Sequence, residues 1–227
     1  MPDSLAALRD EIVRCRRCPR LVAWREAAAI APPRRYTGQR YWARPLPGFG
    51  DVEARLLVLG LAPAANGGNR TGRIFTGDRS GDWLFRALHR NGYANQAESK
   101  SVGDGLRLTG AYVAAAVRCA PPQNKPLPAE RDACFPYLRR ELALLRQVRA
   151  IVCLGSFAWE VALRALAESG HRSRPAPRFG HLAEARVGPI VLLGSYHPSQ
   201  QNTFTGRLTE PMFDAVFTRA REVSAAE

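Results

Sequence analysis

Four cysteines, one histidine and one glycine loop hold most of the chemistry this sequence can offer. Cys15-Arg-Arg-Cys18 sets two thiols three residues apart at the end of an expected first helix, spaced to share a face. Cys119 and Cys134 follow much later, again beside basic residues. One such pair is a weak signal, compatible with redox chemistry or chance. Two pairs favour a four-thiolate site, which zinc and a four-iron cluster both accept. Spacing does not decide between them, and ordinary core cysteines are the alternative. Cys153, inside Ile-Val-Cys-Leu-Gly, fits a buried strand as a small hydrophobe and stays outside this set.

Of the four histidines, His89 belongs to an amphipathic helical pattern, and His171 and His181 lie in a loop region rich in Arg and Pro. His197 differs because it ends an apolar run inside GSYHPSQQN, where Pro198 stiffens the chain and Ser199 can cap a turn. A second chemical segment, LGLAPAANGGNRTGRIFTGDRSGDW, runs from Leu59 to Trp83. It combines close-approach glycines with Arg70, Arg73 and Arg79 and one carboxylate, Asp78, ahead of a helix expected near Ser80. Arginines beside such a backbone suit an anionic ligand.

These segments need a scaffold that brings them together. Four apolar runs, 55–62, 111–117, 150–154 and 189–194, read as strands buried on both faces. Helical patterns at 4–14, 81–91, 128–147, 157–168 and 207–223 lie around and between them. That alternation predicts a three-layer α/β/α domain with a mainly parallel four-stranded sheet, a single unit over residues 1–227. Ligands then gather beyond the carboxyl ends of the strands. The segments following those ends are APAANGGNRTGRIFTGD, RCAPPQNKPLP, GSFAWE and SYHPSQQNTFTG. The Pro- and Arg-rich stretches 31–47 and 171–178 read as surface excursions.

With 46% apolar residues the chain is not a disordered one, and no apolar run approaches the roughly 20 residues of a membrane helix. The N-terminus lacks a signal peptide's uniform apolar stretch, so a cytoplasmic location is expected. Thirty-three basic residues face 20 acidic ones, a formal charge of +13. Only Lys100 and Lys125 among the basic residues are lysine, which a GC-rich genome can explain; the excess of positive charge it cannot, and that points to a polyanionic partner such as nucleic acid. No serine–base pair, histidine cluster or Walker lysine is present.

The segments GLAPAANGGNRTGRIFTGDRSGD, RCAPPQNKPLP and HPSQQNTFTG, with YWARPLPGFGD before the first strand and the cysteine spacing, resemble those of the family 5 uracil-DNA glycosylases, the iron–sulfur b type. The likeness runs from about Cys15 to the last helix. It implies a four-iron, four-sulfur cluster of structural role on Cys15, Cys18, Cys119 and Cys134. It also implies that a monomer excises uracil from DNA, with other deaminated bases such as hypoxanthine as further substrates. This chain departs from the family at Asn66, where His is usual; an amide hydrogen-bonds but does not titrate near neutral pH. The run Leu61-Ala62-Pro63-Ala64 and the pair Ala115-Ala116 lack polar residues that other branches of the superfamily keep, a loss shared by the b type.

On that resemblance His197 is expected to hydrogen-bond the departing base and Phe75 to stack on it, with an ordinary core role as the alternative for Phe75. Asn124 either reads the base edge or caps its loop. Asp78 either orients water and steadies the cationic sugar or caps a helix. Gly60, Ala62 and Asn66 complete the expected base pocket. Arg70 and Arg73 are expected on flanking phosphates, while Gln201, Asn202 and Thr203 enter the minor groove. The rivals are a non-catalytic DNA-binding protein of the same fold and a zinc-stabilised nucleic-acid module.

Overall fold

The computed structural model describes residues 3–225, so residues 1–2 and 226–227 of the expected domain lie outside the described residues. In chain order the elements are α1 (Leu5–Arg14), α2 (Pro19–Ile30), β1 (Phe49–Gly50), β2 (Leu56–Gly60), α3 (Gly68–Thr71), α4 (Arg79–Arg90), β3 (Ala111–Ala115), α5 (Pro128–Leu144), β4 (Ala150–Leu154), α6 (Ser156–Glu168), β5 (Glu184–Val187), β6 (Ile190–Ser195), α7 (Gln200–Phe204) and α8 (Glu210–Ala225).

The four expected strands form the parallel centre of the sheet, in the order β3-β2-β4-β6, and every residue in them is buried. The sheet has six strands rather than four. Short β1 and β5 pair antiparallel at its two edges. Both escaped the sequence reading: β1 is two residues long, and the charged, largely exposed β5 lacks a buried strand's apolar run.

Alternate residues of the central strands feed opposite layers, as strand geometry requires. Leu56, Val58, Val113, Val152 and Leu193 pack with Leu84 and Leu88 of α4 and Phe213 and Phe217 of α8. Leu57, Leu59, Ala114, Ile151 and Leu192 pack with Leu138 of α5 and Trp159, Ala162 and Leu166 of α6. Helix α4, after β2, and helix α6, after β4, therefore lie on opposite faces. Their diverging chains open a crevice at the carboxyl edge, the place where open α/β sheets hold ligands.

The Cys-Arg-Arg-Cys segment is not the end of one helix. Cys15 closes α1 with extended backbone and Cys18 precedes α2, whose first residue is Pro19. Proline favours the first helical position, where its missing N–H costs nothing. The expected shared helical face is thus replaced by a break between two helices. Helix α2 has little amphipathic pattern, which is why it passes unnoticed in the sequence.

Candidate active site

Strand β2 ends at Gly60, and the missing side chain there decides what lies above it. A Cβ at Gly60 would stand 2.6 Å from the Phe75 ring, so the ring rests directly on the strand's last residue. Phe75 has φ +54°, a conformation costly for a bulky residue, of order 1–3 kcal/mol. Its carbonyl is accommodated by Gly81 in the first turn of α4, where a Cβ would lie 1.8 Å away. Two glycines and a strained backbone therefore hold one aromatic ring at the head of the sheet.

His197 stands beside that ring, with centroids 5.9 Å apart and the planes tilted by 31°. It follows β6 and packs near Gly155 at the end of β4. Burial pushes its imidazole pKa down to about 4, so the ring is neutral at pH 7. Its loop is tied from behind: the His197 carbonyl accepts from Asn202 Nδ2 and from the Ser199 backbone N–H, each at 2.8 Å. The Ser199 side chain in turn caps α7.

A cleft of about 780 Å³ is lined by Asn66, Asp78, Arg79, Asn124 and Gln200 together with Trp24, Arg35 and Tyr36; Phe75, His197 and Gly60 are not in its wall, and the chain links them to it through Gly77–Asp78 and Gln200. Asp78 caps α4, accepting from the Gly81 N–H at 3.0 Å. Its second oxygen sits where a Gly67 side chain would be; a Cβ there would be 1.9 Å from it. Burial pushes the Asp78 carboxyl pKa up, partly opposed by the Gly81 N–H. Asn66 Oδ1 accepts from Tyr41 Oη at 2.9 Å, leaving the amide NH₂ as its free group. Asn124 is exposed on the cleft wall and, like Gln123 before it, has positive φ; only its backbone N–H is engaged, with Pro121. The side-chain cap proposed for Asn124 is absent among the described residues.

Several expected positions are corrected. Arg73 does not face solvent: it is buried, donating to Asp104 at 2.7 Å, Ser99 at 2.8 Å and Thr76 at 3.0 Å. It is a strut under the Phe75 loop. Arg70 is committed on all three nitrogens, to the Asn66 and Gly77 carbonyls and to Gln39, and lies over the Tyr36 ring. Ala62 packs with Leu21, Val117, Cys119 and Cys134, away from the cleft wall. Asn202 turns back to hold His197 and is not projected outward. Gln201 is exposed, as is Phe204, which is 66% exposed with the Arg79 guanidinium 4.3 Å from its ring centre. Trp24, Arg35, Tyr36 and Tyr41 were missed, and of these only Tyr41 belonged to a quoted motif; Gly67 lies inside the quoted glycine loop but was not singled out.

Cys15, Cys18, Cys119 and Cys134 line one small cavity with Arg25, Arg118 and Tyr137. Cys153 is buried in β4 and does not join them. Burial pushes the Cys119 thiol up to about 12 and the Cys134 thiol up to about 11. Buried Arg25 donates to Cys119 Sγ at 3.0 Å, and its carbonyl accepts from Asn69 of the glycine loop at 3.0 Å. Among the described residues no set of three or more His, Cys, Asp or Glu side chains is close enough to hold a single metal ion. The four thiols nonetheless open onto one cavity, the donor set that a four-thiolate site draws on.

A family model described as the uracil DNA glycosylase superfamily matches residues 47–221. The type-5 uracil-DNA glycosylase of Mycobacterium tuberculosis (strain CDC 1551 / Oshkosh) is 54% identical over 226 residues, covering 99% of this chain and 83% of that protein. The type-5 uracil-DNA glycosylase of Thermus thermophilus is 52% identical over 211 residues, with 92% and 94% covered. That of Mycobacterium leprae is 50% identical over 223 residues, with 97% and 96% covered.

Proposed function

We infer what the cleft does from one premise: this chain belongs to the uracil-DNA glycosylase superfamily, with type-5 enzymes among its relatives. It is a DNA-repair hydrolase that excises uracil from DNA by cleaving the N-glycosidic bond and leaving an abasic site. The observation that carries the mechanism is the Phe75–His197 pair at the carboxyl edge of the sheet.

Breaking the bond draws electrons onto the departing base and leaves positive charge on the sugar. A site accelerates this by stabilising both charges in place. The flipped base stacks against Phe75, whose ring is immobilised on Gly60. His197, kept neutral by burial, donates one N–H to the base oxygen as it becomes anionic; a neutral donor strengthens as the charge grows. Asn66 offers its free NH₂ to the same ligand, and Asn124 contacts the base edge through its unpaired amide. The Asp78 oxygen not used in capping faces the sugar and the attacking water. Since none of these groups depends on a feature unique to uracil, other deaminated bases such as hypoxanthine are further substrates.

The four cysteines hold a four-iron, four-sulfur cluster in this reading. When bound it supplies a covalent tie between the α1–α2 break, the segment after β3, and α5. Burial of Cys119 beside Arg25, which donates to its sulfur, supports it, since thiolates there need compensating positive charge. No helix among the described residues is long and apolar enough to cross a membrane. The enzyme acts in the cytoplasm as a monomer, a charge of +13 opposing self-association.

The test is a panel of duplexes bearing uracil, hypoxanthine or xanthine, with abasic sites cut by alkali. Wild-type protein releases uracil, and His197→Ala slows release by about 10²–10³-fold, the usual cost of losing one such donor, with DNA affinity little changed. Equal losses of cleavage and binding would make His197 structural, and no release from any duplex would end the catalytic reading.

A further inference from the structure

Between Glu26 and Asp51 the chain contains no carboxylate, yet it carries Arg34, Arg35, Arg40 and Arg44. All four are exposed. None has an acidic partner among the described residues; Arg35 and Arg44 lie only against the neighbouring rings of Tyr36 and Trp42. Many arginines elsewhere are neutralised. Arg90 pairs with Glu210 and Asp214, Arg140 with Asp3 and Glu11, Arg164 with Asp132 and Glu168, and Arg219 with Glu184 and Glu222. Arg172, Arg174 and Arg178 are likewise exposed without an acidic partner, but they do not line the cleft; what sets residues 34–44 apart is that Arg35 and Tyr36 belong to its wall.

The stretch is also fastened to the glycine loop. Tyr41 Oη bonds Asn66, Gln39 accepts from Arg70 at 3.0 Å, and the Trp42 and Ala43 N–H groups donate to the Arg70 and Asn69 carbonyls, each at 3.0 Å. The Trp42 indole lies on Gly72, where a Cβ would be 3.3 Å away. Arg35 and Tyr36 themselves line the cleft. Whatever binds these arginines is held at a set distance from Asn66 and Asp78.

We propose that residues 31–44 form a phosphate-binding arm that tracks the DNA backbone beside the flipped nucleotide, taking the task expected of Arg70 and Arg73. The proposal rests on the uracil-excising reading above. Guanidinium forks free of carboxylates suit phosphate oxygens, and their charge complements a polyanion at the lip of the cleft. Such contacts bind without reading sequence. The arm anchors any duplex and the loop behind it then engages the lesion.

Binding of undamaged duplex, measured as a function of salt, tests this. Each lost phosphate contact reduces the slope of log K against log salt by about 0.9. The quadruple variant Arg34→Gln, Arg35→Gln, Arg40→Gln, Arg44→Gln should therefore flatten the slope by roughly 3 to 4, and each single variant by roughly 0.9. Arg→Lys at the same four sites should keep most of the slope. The control is Arg172→Gln, Arg174→Gln, Arg178→Gln, which removes exposed charge that does not line the cleft and should leave the slope unchanged. A wild-type slope in the arm variants overturns the proposal, as does an equal loss in the distal control, which would make net charge the cause. Uracil release by the wild-type protein is scored separately, so an arm that fails beside an active enzyme sinks the arm alone.

Discussion

Asp78 caps α4 and also lines the cleft, so its structural task leaves room for the chemical one. One oxygen caps α4 at 3.0 Å from the Gly81 N–H, and the other occupies the space that Gly67 vacates. The two alternatives weighed in the sequence were therefore not exclusive. Asp78→Asn separates them, because an amide still accepts the capping bond but carries no charge. We predict near-normal thermal stability and a fall in single-turnover uracil release of about 10²-fold or more, in line with the loss of one electrostatic group. Unchanged release would reduce Asp78 to a cap. Asp78→Ala adds the loss of the cap, about 1 kcal/mol of stability. His197 and Asp78 were singled out from the residues themselves, because glycine, proline and isolated polar residues mark strand ends plainly, while Phe75 was named on the family resemblance. Tyr41 was not singled out: a tyrosine's hydroxyl reveals its partner only once the chain has folded.

The break between α1 and α2 works at the scale of elements. It turns Cys15 and Cys18 toward Cys119, which follows β3, and Cys134 on α5, so three separate segments converge on one cavity. Arg25 on α2 and Asn69 on the glycine loop then connect that cavity to the active-site side. We predict that anaerobically purified protein is coloured and contains about four iron atoms per chain. Removing the iron should lower the thermal midpoint and weaken protection of α2 against proteolysis, since metal binding free energy is folding free energy. A colourless protein with one zinc would overturn the cluster while leaving uracil excision intact. The pairing of cysteines into one site was legible from their number and basic neighbours. The helix break was not, because α2 lacks the amphipathic spacing that announces a helix, and Pro19 alone does not reveal one.

At the scale of the whole molecule, the loop between α4 and β3 supports the active site from below. Burial pushes the Asp104 carboxyl up, but the Arg73 hydrogen bond and the N–H groups of Leu106, Lys100 and Ser101 outweigh it and hold its pKa down to about 2. A carboxylate depressed on folding stabilises the native state above its ordinary pKa and loses that stabilisation as pH falls through the depressed value. We predict that Asp104→Asn costs about 2 kcal/mol or more at pH 7, measured by urea unfolding, and that the gap to wild type narrows between about pH 4 and pH 2. A constant gap across that range would mean the ion pair is not its source. The order of the four central strands and of α1, α4, α5, α6 and α8, the apolar strand cores, the cysteine set and the candidate His197 and Asp78 were readable along the chain, because each depends on neighbours a few residues away. The two edge strands, the burial of Arg73, the inward turn of Asn202 and the fastening of the exposed 31–44 stretch to the glycine loop were settled only by tertiary structure. An arginine's role depends on whether a carboxylate distant in sequence comes to meet it, as Asp104 meets Arg73, and local sequence carries no record of that meeting.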